Sequence, residues 1–190
     1  MDLDESGRIL RQSAARARGY ADFFDWPDKS VKEWGIAQTF VQELQRSGGP
    51  TICGGTQHPG GVNHAPDLQI TTQNGETWGV EITELVSQEA IEATKCGSSV
   101  FALWSDEELI AQVDALVARK DRPQKIKGGP YDRYLLLVHV DEAMLNRERL
   151  ESAFVYHGFR THLIDEICVL LSYEPSEQRC PLLRFGTIKI

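Results

Sequence analysis

Ala65-Pro66-Asp67-Leu68-Gln69-Ile70-Thr71-Thr72 and Thr77-Trp78-Gly79-Val80-Glu81-Ile82-Thr83, joined across Asn74-Gly75, form the stretch from which the fold can be read. Both runs are rich in β-branched and aromatic residues. Asn-Gly between two such runs is a hairpin signal. Side chains alternate faces along a strand. Leu68 and Ile70 are therefore the apolar set of the first strand, and Trp78, Val80 and Ile82 that of the second. For both sets to face one core, paired residues must have numbers with an even sum. A strict two-residue Asn74-Gly75 turn would pair 73 with 76 and put the sets on opposite faces. A three-residue loop or a single bulge repairs the parity, and burial of the apolar side chains selects that register.

The same parity places Asp67, Glu81 and Thr83 together on the other face, with Asp67 across from residue 81 or 83. Two neighbouring carboxylates repel one another unless something compensates. A hard divalent cation is the common answer, held by one or two carboxylates with waters and substrate phosphates. Such a cation activates water and stabilises charge on a phosphoryl group. The plainer alternative is a solvated hairpin face with no ligand.

Working outward, Ser30 and Glu33 have capping-box spacing. Val31, Trp34, Ala37, Phe40, Val41 and Leu44 follow at helical spacing until Gly48-Gly49-Pro50. Thr51–Cys53 reads as a short strand before a glycine-rich loop. After the hairpin a helical region is expected at 86–96. A second capping box, Ser105 with Glu108, opens a helix whose apolar face is Leu109, Ile110, Val113, Leu116 and Val117. Tyr134–Val140 is a near-continuous apolar run, the pattern of a strand covered on both faces. A helix is expected at 145–157, and strands at Ile167–Leu171 and Leu182–Ile190. The order predicts an α/β fold, a mixed β-sheet flanked by helices.

The chain has 190 residues and a formal charge of -8, with 41% hydrophobic and 25% charged residues. This suits one globular domain over 30–190, preceded by an Arg-rich helix or arm over 1–29. The negative total argues against a protein coated in basic charge, though not against a local basic groove. Four cysteines lack CxxC spacing, which disfavours a zinc ribbon and a disulfide framework. The first residues are acidic where a signal peptide would be basic, so a reduced, cytoplasmic protein is expected. The longest apolar stretch, around Leu135–Val138, falls far short of the about 20 residues that cross a bilayer.

Pro66-Asp67, a hairpin, then Glu81-Ile82-Thr83 resembles the PD-(D/E)XK, or restriction-endonuclease-like, nuclease superfamily. That superfamily carries PD, a spacer and acid-x-Lys on a core hairpin. It is similar in surroundings too: a helix before the hairpin, a helix after it, and a further strand. The likeness covers roughly residues 30–140. It implies a restriction-endonuclease-like core and a metal-dependent nuclease, in which Asp67 and Glu81 hold Mg²⁺ (or Mn²⁺) and the carbonyl of Ile82 completes the shell. Glu43, on the first helix, would be the additional acid. It lies about 100° from the centre of the apolar stripe, at the helix edge. The chain departs from the pattern at Thr83, where the motif has Lys, a residue that positions the attacking water and offsets transition-state charge. Some members carry the lysine elsewhere. Lys120 is the leading replacement, with Lys95, Lys125 and Lys127 as alternatives. With no working lysine, the fold would serve binding alone.

Arg119, Lys120, Arg122, Lys125, Lys127 and Arg133 form a basic cluster that reads either as a phosphate-binding patch or as a solvated helix end. Arg8, Arg11, Arg16 and Arg18 read as a second nucleic-acid contact, a helix surface or a homodimer contact. His58 and His64 flank Gly60-Gly61 and read either as contacts to a substrate or metal or as part of a polar loop. His139 reads as a hydrogen-bonded core residue. The glycine pairs lack a nucleotide-cradle order, and no G-x-S-x-G occurs.

Overall fold

The structure is a computed structural model describing residues 21, 29–58, 65–98, 101–126 and 128–190. Along them run helix α1 (Lys29–Arg46), strands β1 (Ile52–Gln57), β2 (Leu68–Thr72) and β3 (Thr77–Leu85), helices α2 (Gln88–Lys95) and α3 (Asp106–Lys120), then β4 (Arg133–Val140), α4 (Arg147–Phe154), β5 (Phe159–Thr161), β6 (Glu166–Leu171) and β7 (Leu182–Lys189). The strands make one mixed seven-stranded sheet in the order β1-β2-β3-β4-β6-β7-β5. The proposed arm over 1–29, with Arg8 to Arg18, lies outside the described residues except for Ala21 and Lys29.

The hairpin adopts the parity that burial demands. Leu68 pairs with Val80 and Ile70 with Trp78. The loop is Gln73-Asn74-Gly75: Gly75 N–H donates to Thr72 O, and Thr72 N–H to Glu76 O, each at 2.9 Å. Gly75 sits at φ +84°, a left-handed conformation that glycine adopts without a Cβ clash. β1 extends this pair into an antiparallel meander, while β4 joins β3 in parallel. The parallel step is bridged by α2 and α3.

Each face of the sheet buries its own core. Leu68, Ile70, Trp78 and Val80 pack with Leu135, Leu137, Cys168 and Leu170 beneath Ile36, Ala37, Phe40 and Leu44 of α1. On the opposite face Leu136, Val138, Val140, Ile167 and Val169 pack under α3 and α4 through Leu109, Val113, Val117, Leu150 and Phe154. β4, at the centre, is buried over Tyr134–Val140, as its unbroken apolar run requires. Ser105 caps α3 with the full reciprocal box to Glu108.

Three elements differ from the sequence reading. β1 reaches Gln57, four residues past Cys53, because its backbone pairs with β2 while its side chains stay mostly exposed. Ser30 lies inside α1, which begins at Lys29. The three-residue β5 escapes any periodicity test and exists by pairing with β7.

Candidate active site

Glu81 and Lys120 meet on the sheet face that α3 covers, and Asp67 lies on the same face. Odd-numbered residues of β2 and β3 point there, since the even-numbered ones fill the α1 core. One step beyond the Leu68–Val80 pair, the register sets Asp67 across from Glu81. Asp67 Oδ2 accepts a hydrogen bond from Ile82 N–H at 2.8 Å. The same register sets Pro66 across from Ile82, and proline has no N–H for the Ile82 carbonyl. The backbone ladder stops there, and the Ile82 N–H donates to the Asp67 carboxylate.

Glu81 is only 5% exposed, in a strand flanked by β2 and β4. Its Oε1 accepts a hydrogen bond from Lys120 Nζ at 2.6 Å. Lys120 ends α3, whose apolar face presses Val113, Leu116 and Val117 onto the sheet and so aims the last turn at β3. Thr83 follows Glu81 on the same face. Two carboxylates and a carbonyl facing a proline make an all-oxygen set suited to a hard divalent cation with waters completing its shell. Among the described residues, no group of three or more His, Cys, Asp or Glu side chains gathers around one point.

Glu43 does not join the pair. It belongs to α1, which packs on the opposite face, so the sheet stands between Glu43 and Glu81. Glu43 is buried and accepts from Arg46 Nη1 at 2.5 Å and from Arg179 Nη1 at 3.1 Å. It is neither a water-facing nor a hairpin-facing acid. It anchors the β6–β7 loop to α1.

The basic cluster divides. Lys120 is engaged with Glu81, while Arg119, Arg122 and Lys125 are exposed. Arg133 lies on the α1 face, over the Trp78 ring at 4.7 Å and hydrogen-bonded to Glu166 at 2.6 Å. Lys95 is exposed at the end of α2; Lys127 and His64 lie outside the described residues. His58 N–H donates to Asp67 O at 3.1 Å, which ties β1 to the site. His139 is buried in β4, and His157 Nε2 lies 2.8 Å from Asp114.

Sequence reading overlooked Gly79, Tyr131 and Tyr134. Gly79 occupies the position before Glu81 on the same face. A Cβ there would come within 2.8 Å of the Tyr134 ring and 3.1 Å of the Tyr131 ring. Glycine inside a strand marks such a close approach, the one signal that could have found it.

Comparison with family models, curated proteins and solved structures found no match. Among the described residues no helix is long and apolar enough to cross a membrane.

Proposed function

We propose that the chain is a metal-dependent nuclease hydrolysing phosphodiester bonds of nucleic acid, on a divergent restriction-endonuclease-like core. The observation carrying this reading is that the Lys120 ammonium lies 2.6 Å from Glu81, on the face where the strand register sets Asp67 across from it. A PD-(D/E)XK-like hairpin with Thr83 in the lysine position needs its cationic group from elsewhere, and α3 brings one. The order of elements agrees: helix, antiparallel hairpin, helix, then a further strand parallel to the second hairpin strand.

Asp67 and Glu81 would hold Mg²⁺ or Mn²⁺, helped by the Ile82 carbonyl. Bound there, the cation would supply Lewis acidity toward the phosphoryl group and acidify a water. The chain's own residues do the rest. The Ile82 N–H fixes one Asp67 oxygen and so orients the other. Lys120 brings a positive charge and hydrogen-bond donors to the place where negative charge develops, beside the buried Glu81. Burial around Glu81 strengthens these interactions by lowering the local dielectric.

The test is cleavage of plasmid and single-stranded DNA with Mg²⁺ or Mn²⁺ by the wild type and by Asp67→Ala, Glu81→Ala and Lys120→Ala. Each substitution should cost about 10²-fold or more. Equal cutting by all four proteins, or no cutting by the wild type with any divalent cation, ends the reading.

The second reading is a catalytically inactive nuclease-like fold that binds nucleic acid or protein. Thr83 favours it, because no lysine stands at the motif position. A magnesium titration followed by thermal melting separates the two. Stabilisation that disappears in Asp67→Ala supports the metal site.

A further inference from the structure

Beside the carboxylate pair lies a small aromatic shelf. Gly79 is one side-chain step from Glu81 on the same face, about 7 Å along the strand. Having no side chain, it lets the Tyr134 ring lie on the strand, with the Tyr131 ring against it. The two rings are 5.7 Å apart between centroids and tilted by 49°. Tyr134 is buried, whereas Tyr131 is only half-buried. Ahead of it run Gly128 and Gly129, exposed and at φ +72° and +101°. With only hydrogen at Cα, neither glycine puts a side chain over the ring. The segment from Lys120 to Tyr131 also carries the exposed cations Arg122 and Lys125, with Arg119 just before it.

We propose that Tyr131, seated on the Gly79–Tyr134 floor, stacks an unpaired nucleobase, so that the substrate is single-stranded nucleic acid or a frayed end. A phosphate at Asp67 and Glu81 leaves the adjoining base within reach of the next row, where Tyr131 stands. Every base has a π-face, so stacking on an aromatic ring tolerates any sequence. A base inside a duplex is already stacked on its neighbours and cannot use the shelf. Arg119, Arg122 and Lys125 give the backbone a local track in a chain that is otherwise acidic. The placement beside the carboxylates rests on the nuclease reading, whereas stacking itself is independent of cutting.

The experiment measures binding in EDTA, and in Asp67→Ala, of a short single-stranded oligodeoxynucleotide carrying 2-aminopurine, against its duplex and its RNA counterpart. The wild type should quench the fluorophore and prefer the single strand. Tyr131→Phe should match it. Tyr131→Leu keeps apolar packing but removes the π-face, so it should bind at least about fivefold more weakly without quenching. Thermal melting of each variant checks that the fold is retained. Wild-type binding by Tyr131→Leu, equal affinity for duplex, or no single-strand binding overturns the proposal. Quenching without cleavage leaves the shelf standing and removes the nuclease. Cleavage with Tyr131→Leu unimpaired does the reverse.

Discussion

Lys120 Nζ lies 2.6 Å from Glu81 Oε1, joining the end of α3 to an acid in the middle of the sheet. The pair is buried on the acid's side, so removing the lysine takes a close cationic partner from a buried carboxylate. Lys120→Met should cost about 2–4 kcal/mol by denaturant unfolding. Magnesium should raise the melting temperature of this variant more than that of the wild type, since Lys120 no longer opposes a cation at Glu81. An equal or smaller magnesium shift in the variant would show that no cation sits there.

Glu43 gives the opposite expectation. Glu43→Gln removes the charge that holds Arg46 and Arg179 and should lower stability by about 1–3 kcal/mol. Cleavage per folded molecule should not change. Loss of cleavage with full stability would return Glu43 to the active site.

Asp121, just past α3, accepts from the N–H groups of His162, Leu163 and Ile164 at 2.6, 2.8 and 3.0 Å. Burial pushes its carboxyl up, but these backbone donors outweigh burial and hold it below the usual carboxylate range. Its contribution is therefore complete above the unfolded pKa of about 3.9 and fades as pH falls through the lower folded value. Asp121→Asn should cost about 2 kcal/mol at neutral pH. The gap to wild type should stay level down to about pH 5 and narrow below about pH 4. Urea unfolding at stepped pH measures it, and a gap that widens in acid contradicts the assignment.

Gly79→Ala forces a methyl group to within 2.8 Å of the Tyr134 ring. Overpacking of this kind costs about 1–3 kcal/mol, which for a chain of this size lowers the melting temperature by several degrees. An unchanged melting temperature would mean that the ring moves aside freely.

The four cysteines are free thiols of two kinds. Cys53 and Cys96 are exposed, whereas Cys168 and Cys180 are buried, and burial pushes the Cys180 thiol up to about 11. A disulfide reagent should label Cys53 and Cys96 quickly in the native protein, and Cys168 and Cys180 only on unfolding.

The hairpin was legible because five apolar side chains need one face, and that need fixes the register and with it the Asp67–Glu81 juxtaposition. β4 was legible because both of its faces are covered. The position of Lys120 was suggested by resemblance, and packing of α3 brings it to Glu81. Glu43 was misplaced because a helical wheel locates a residue on its own helix without saying which side of a sheet that helix docks against. Arg133 went to the other face for a related reason, since its alternation belongs to β4 and not to the preceding basic run. Gly79 and the two tyrosines meet only through the β3–β4 pairing, which no local pattern reveals.

The sheet separates two charged systems, Asp67–Glu81–Lys120 on one side and Glu43 with Arg179 and Glu177 on the other. For anyone engineering this chain, the residues under α1 can be varied for thermostability while the side chains of the Asp67–Glu81–Lys120 face are kept. Gains in robustness and changes at that face would then accumulate in separate libraries, without the usual exchange of one for the other.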